Sequence, residues 1–246
     1  MMITNHKIIA FPFAGGNRYS FSSIEKHVPK NIDWITLELP GRGNRFKENL
    51  LVKIDDMVDD LLDKIIPHIQ KSDYIIYGHS MGTLLGYELT KRIIQEKLKL
   101  PKHLFFTGRG APGFDRFKNK KSTLPKELFW KEVIEMGGFP NDILDHEDLL
   151  DLYFPIMKSD FKAVEDYEFC QMKKPFLIPI HICMGNEEIG EEEDKTPLSS
   201  MKAWSNETSY SCSFELLKGD HFFILKHPKT IAQKICFAFE GKLNTK

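Results

Sequence analysis

Cysteine is scarce in this sequence: Cys170, Cys183, Cys212 and Cys236 are the only four, and none forms a C-x-x-C pair. That excludes a disulfide scaffold and a zinc finger, and several of the thiols lie in apolar runs where a free Cys behaves as a small hydrophobe. No stretch approaches the ~18 consecutive apolar residues of a membrane-spanning helix. Neither sign of charge dominates, with 34 Lys and Arg against 35 Asp and Glu and a formal net charge of -1. A protein built to hold the phosphate backbone of nucleic acids carries a basic excess that is missing here. The apolar run Ile8 to Ala14 is too short and too weakly basic for a signal peptide, so the expected location is cytoplasmic. Phosphate-cradling G-x-x-x-x-G-K-[ST], dinucleotide-binding G-x-G-x-x-G and metalloprotease H-E-x-x-H motifs are all missing, and neither a metal nor an organic cofactor is expected.

What is present is ordinary globular material: 246 residues, 41% hydrophobic, with 19 Phe. Short apolar runs alternate with helix-period segments, the pattern of a mostly parallel α/β sheet with helices on both faces. Expected strands are Lys7 to Phe11, Trp34 to Leu39, Tyr74 to Tyr77, His103 to Thr107, Ile178 to Met184 and Cys212 to Leu217. In Ile54 to Ile69 the apolar residues Ile54, Met57, Val58, Leu61, Leu62, Ile65, Ile66 and Ile69 share one face of a 3.6-residue period, and Pro67 should end or bend that helix. A second helix is expected from Ser80 to about Lys97, and a third after His227-Pro228. Leu124 to Cys170 breaks the alternation with successive helices and no strand. Such an insertion at the sheet's carboxyl edge forms a lid or packs as extra core. The expectation is a single domain over 1–246 with a lid insertion at about 115–170.

Gly78-His79-Ser80-Met81-Gly82 follows a strand and opens a helix, which is G-x-S-x-G in its strand–turn–helix setting. The turn lifts the serine hydroxyl above the sheet, and the first N–H groups of the helix face any developing negative charge. A serine nucleophile needs a base, and His221 in Gly219-Asp220-His221-Phe222-Phe223 lies after the last strand, at the same sheet edge. His227 is a rival that reads as a helix-entry residue, and His79 reads as structural. Asp220 adjoins His221 and would point away from it. The acid orienting the histidine should follow the strand Ile178 to Met184, the chain order of α/β-hydrolases. Six acids fall in the eight positions Glu187 to Asp194, and most belong to a solvated loop. Phe11-Pro12-Phe13-Ala14-Gly15-Gly16 suits a second oxyanion donor, because small residues after a buried strand let backbone approach a substrate carbonyl.

The sequence resembles the type II (external, editing) thioesterases of polyketide and nonribosomal peptide synthesis, which have the α/β-hydrolase fold. The resemblance rests on the elbow, the Phe11 to Gly16 and Gly219 to Phe223 blocks, Pro40-Gly41-Arg42-Gly43 with Arg45, Gly108-Arg109-Gly110-Ala111-Pro112, and Pro155-Ile156-Met157-Lys158-Ser159-Asp160-Phe161. These come in family order along nearly the whole chain. The resemblance implies Ser80 as nucleophile, His221 as base, the amides of Ala14 and Met81 as the oxyanion hole, and Leu124 to Phe169 as a helical lid. Phe13 stands where the family often has His or Tyr, which makes the pocket mouth more apolar. The acid loop lacks a clean G-x-x-D. Glu188 lies three residues after Gly185, where the family's Asp normally sits, whereas Asp194 has about the familiar separation from His221. Glu188 is favoured, because a strand fixes its first following residues better than its ninth.

The implied activity is hydrolysis, in trans, of aberrant or stalled acyl groups from the phosphopantetheine arm of an acyl or peptidyl carrier protein. An acyl-CoA hydrolase, a small-molecule carboxylesterase and a product-releasing thioesterase share the same machinery, and an idle carrier-docking module is the rival of another class. Arg116, Lys118, Lys120 and Lys121 either meet an acidic carrier helix or form a solvated basic loop.

Overall fold

The computed structural model describes residues 6–114, 119–137, 146–192 and 195–241. Six strands, β1 (His6–Phe11), β2 (Ile32–Thr36), β3 (Asp73–His79), β4 (His103–Thr107), β5 (Ile180–Gly185) and β6 (Cys212–Leu217), form one sheet in the order β2-β1-β3-β4-β5-β6. Every pairing is parallel. Among the described residues the α-helices are α1 (Ser22–Glu25), α2 (Ile54–Ile69), α3 (Met81–Gln95), α4 (Lys126–Glu135), α5 (Glu147–Glu165), α6 (Leu198–Lys202), α7 (Phe223–Lys226) and α8 (Pro228–Phe239).

Strand residues alternate between faces, so each central strand must be apolar on both. Ile9, Phe11, Tyr74, Ile76, Leu104, Phe106, Ile182 and Met184 join α2 and α3 in one core. Their neighbours Ile8, Ala10, Ile75, Tyr77, Phe105 and Cys183 join α1, α7 and α8 in another. A third cluster of Phe129, Trp130, Val133 and Met157, with Leu150, Tyr153, Phe154 and Phe161 packed on it, belongs to α4 and α5 in the segment inserted between β4 and β5. The buried stripe of α2 is Ile54, Met57, Val58, Leu61, Ile65 and Ile69, each contributing about 2 kcal/mol of transfer free energy. Leu62 and Ile66 are only partly buried at the stripe's margin, and α2 runs through Pro67 to Ile69.

The strands keep their expected places with ends shifted by at most three residues, and two of the shifts have a plain physical cause. The second strand stops at Thr36 rather than Leu39, because its last ladder partner is Ala10 and the chain then turns toward Pro40 and Gly41. The fifth begins at Ile180, since Pro179 has no N–H for the ladder.

The strand order reverses between β1 and β3, which pair as Phe11 with Gly78 at their carboxyl ends. Loops leaving neighbouring strands diverge at such a switch point and open a crevice. The segment after Phe11 and the turn at Ser80 are the two lips of that crevice. Among the described residues no helix is long and apolar enough to cross a membrane.

Candidate active site

Ser80 occupies the turn between β3 and α3 with φ 55° and ψ −116°, a conformation that costs a non-glycine residue about 1–3 kcal/mol. The surroundings enforce it. A Cβ at Gly78 would lie 2.3 Å from the carbonyl oxygen of Gly82, and one at Gly82 would lie 1.8 Å from that of Phe11. The Ser80 N–H donates to Thr107 O at 2.9 Å, and Thr83 Oγ1 lies within hydrogen-bond reach of both Gly78 O and Thr107 O, at 3.0 and 2.9 Å. The elbow is therefore held by β4 as well as by its own strand.

His221 Nε2 lies 3.0 Å from Ser80 Oγ, and His221 Nδ1 lies 2.6 Å from Glu188 Oε2. Glu188 Oε1 accepts the Gly185 N–H at 2.7 Å, so the carboxylate is fixed to the end of β5 while it faces the imidazole. The loops bearing the two residues are tied together: Asn186 N–H donates to Leu217 O, Glu187 N–H to Gly219 O, and Gly219 N–H to Asn186 Oδ1, at 2.8, 3.0 and 2.8 Å. Asp194 lies outside the described residues.

The rival residues are engaged elsewhere. Asp220 accepts the Phe222 N–H and pairs with Lys226 at 2.6 Å, turned from its neighbour's ring. His227 Nε2 donates to Lys218 O at 2.7 Å. His79 is fully buried with Nδ1 on Thr107 Oγ1 at 2.9 Å, and its ring packs 5.0 Å from that of His221. Burial, and secondarily the proximity of His221, hold the His79 imidazole well below its usual pKa, so it packs there neutral.

Met81 is the first residue of α3, so its N–H has no carbonyl four residues back within the helix. Ala14 lies across the crevice in a tight turn closed by Gly16 N–H to Phe13 O at 2.8 Å, with Gly15 at φ +74° as the turn's third residue. Ala14, Gly15, Ser80 and His221 line a cavity of about 330 Å³ roofed by Val133, Met136, Tyr153, Met157 and Phe161 of the inserted helices. Phe13 meets Phe222 and His79 edge-on at 5.0 and 5.8 Å, so the mouth is apolar where an aromatic with a polar tip would make it wet. A second cavity of about 440 Å³ beside β2 contains neither Ser80 nor His221.

Sequence reasoning assigned no role to the Arg42–Asp160 pair. Arg42 and Asp160 form a bidentate ion pair at 2.6 and 2.8 Å, 3% and 0% exposed, and Asp160 Oδ2 also accepts the Gly15 N–H at 2.7 Å. The signal was there in part, since both residues stand in blocks that carry the resemblance. Of the basic group before the insertion, Lys120 pairs with Asp166 and Lys121 with Glu132, while Arg116 and Lys118 lie outside the described residues. Among the described residues no cluster of three or more His, Cys, Asp or Glu could hold a metal ion.

A serine in a strained elbow, a histidine bridging it to a carboxylate, and an apolar cavity above them constitute acyl-transfer machinery. Comparison with known proteins gives it a lineage. The family model described as a thioesterase domain matches residues 6–237. The chain belongs to the thioesterase family. It is accordingly a thioester hydrolase. The gramicidin S biosynthesis protein GrsT of Aneurinibacillus migulanus is 30% identical over 230 residues, covering 94% of this chain and 87% of that protein. The crystal structure of ClbQ from the colibactin NRPS/PKS pathway superposes with a TM-score of 0.89 at 27% identity, covering 97% of this chain and 98% of the other. The type II thioesterase BorB from the borrelidin biosynthetic cluster gives 0.84 at 26% identity over 96% and 93%. The resemblance to type II thioesterases and the α/β-hydrolase fold expected from it both hold across the thioesterase.

Proposed function

We propose that this thioesterase clears aberrant or stalled acyl groups from the phosphopantetheine arms of carrier proteins in a polyketide or nonribosomal peptide assembly line. Ser80 is the nucleophile in this reading, His221 the general base, Glu188 the orienting acid, and the Ala14 and Met81 amides the oxyanion donors. The inserted segment at about 115–170 serves as a lid within a single hydrolase domain. The observation that carries the reading is the Ser80–His221–Glu188 chain opening directly into the apolar cavity.

As Ser80 Oγ attacks the thioester carbonyl, its proton passes to His221 Nε2, and Glu188 stabilises the imidazolium that forms. Negative charge on the carbonyl oxygen is met by the two amides, which are in place before the charge develops. Collapse of the tetrahedral intermediate breaks the C–S bond, and His221 protonates the departing thiol. Water, deprotonated by the same ring, then attacks the acyl-Ser80 ester, and as the C–O bond breaks His221 returns that proton to Ser80 Oγ and the free acid leaves. The apolar roof excludes bulk water and receives the acyl chain, while the arm enters past Phe13 and Tyr19.

The test is a panel of acyl-loaded carrier proteins and the matching acyl-CoA esters, followed by intact mass with wild-type and Ser80→Ala protein. Faster deacylation of the carrier than of CoA, abolished by Ser80→Ala, supports the reading. Equal efficiency on both would make this a small-molecule hydrolase.

A further inference from the structure

The turn that presents the Ala14 amide is held from outside its own strand. Gly15 N–H, one residue further on, donates to Asp160 Oδ2 of α5 at 2.7 Å, and the partners are 145 positions apart in the chain. Helix α5 comes so near that a Cβ at Gly15 would lie 2.0 Å from Met157 Sδ, with Met157 and Asp160 on one face at i, i+3. Remove the acceptor and only the Gly16 N–H to Phe13 O bond closes the turn. The Ala14–Gly15 peptide then loses its fixed orientation and the adjoining Ala14 N–H loses its support, since glycine tolerates either sense of the turn.

A carboxylate in that place raises an electrostatic difficulty. It is fully buried one residue from the amide that would receive an oxyanion, and in a medium of low dielectric two negative charges at such range repel strongly. Arg42 removes the difficulty with a bidentate fork on both Asp160 oxygens, 3% exposed, and its Nη1 also approaches Gly16 O at 3.5 Å. The anchor is thus strong yet locally neutral. It also fastens the Met157–Asp160 turn of α5 to the turn beneath it.

We propose that Asp160 and Arg42 are positioning residues for the reaction: Asp160 fixes the oxyanion turn through Gly15, and Arg42 cancels the charge that this requires. The proposal rests on the reading of Ala14 as an oxyanion donor.

Asp160→Asn, Arg42→Gln and the double variant are to be assayed with octanoyl-N-acetylcysteamine thioester. Each is also titrated with 1,1,1-trifluorododecan-2-one, whose hemiketal carries an oxyanion, and with S-decyl-N-acetylcysteamine, a thioether that cannot react. Each single variant should lose tenfold or more in kcat with KM within threefold, and the ketone should weaken in proportion while the thioether does not. The double variant, a neutral hydrogen-bonding pair that still offers Gly15 an acceptor, should return to within about fivefold of wild-type kcat, and it keeps the test decisive if a single variant fails to fold. Unchanged kcat and ketone affinity in a folded variant would overturn the proposal. Equal weakening of ketone and thioether would reduce the pair to a structural strut. If the ketone binds wild-type protein no more tightly than the thioether, the oxyanion reading itself fails, whereas turnover abolished by Ser80→Ala would leave the thioesterase mechanism standing.

Discussion

Gly82 stands so close to Phe11 that a Cβ on it would lie 1.8 Å from the Phe11 carbonyl oxygen. The contact joins helix α3, which begins just after Ser80, to the strand that leads into the Phe13–Gly16 turn. Both are backbone, so neither yields by rotating a side chain. Gly82→Ala should therefore separate Ser80 from Ala14, lowering kcat by at least 100-fold and stability by about 2 kcal/mol. Turnover and thermal melting of the purified variant check both effects, and wild-type activity would mean the two loops are not mechanically coupled.

The elbow was legible because every requirement is local: a strand, two glycines and a helix within ten residues. The strands β3, β4 and β5 were legible for a similar reason, being apolar on both faces. The contact between Glu188 and His221 was reachable by counting from the end of β5, since the Gly185 N–H ties the Glu188 carboxylate to that strand end. Asp160 was not reachable in this way. Its partners are Arg42, 118 positions away, and Gly15, 145 positions away, and no periodicity within α5 encodes either contact. The end of β2 was misjudged because Leu37 and Leu39 are buried, which a sequence cannot tell from strand.

Stability should fall in mild acid. Burial, with the nearby His181 adding to it, pushes the His103 imidazole down from 6.5 to about 3. The unfolded chain then binds a proton near pH 6.5 that the folded chain refuses. The stabilisation is full above pH 6.5 and is lost as pH falls toward 3, by about 2 kcal/mol at pH 5 for this one group. His79 is depressed in the same direction. Urea midpoints from pH 7.5 to 5 should show the decline, and His103→Gln should flatten it by the share of one proton.

Acyl length should be set by the inserted helices. Met136 lines the cavity from the end of α4 and is 38% exposed, so a larger side chain there can be accommodated without overpacking the sheet. Met136→Trp should exclude the distal end of a long chain. Four methylenes denied burial, at about 0.8 kcal/mol each, amount to roughly 200-fold in kcat/KM. Decanoyl and acetyl thioesters assayed in parallel give the measurement: the first should fall by that order and the second should be unchanged.

The acid partner of His221 allows the sharpest test, because Glu188 holds two bonds with its two oxygens. Oε2 faces His221 Nδ1 at 2.6 Å and Oε1 accepts from Gly185 at 2.7 Å, while its backbone oxygen accepts from Thr196 N–H at 2.8 Å. Glu188→Gln keeps the shape and one acceptor but removes the charge that stabilises the imidazolium. If the amide presents its NH₂ to the ring, the wrong tautomer faces Ser80. A loss of roughly 10³–10⁴-fold in kcat is expected, with folding intact. Glu188→Asp keeps the charge but shortens the reach, and with the backbone tied to Thr196 it cannot hold both Gly185 and the ring. Its loss should be intermediate, about 10–100-fold, and confined to kcat. Asp194→Asn should remain within twofold of wild type. Steady-state kinetics on the three variants with one soluble acyl thioester decide the matter. Activity lost only in Asp194→Asn would transfer the role to the loop and leave the Glu188–His221 pair as a structural contact.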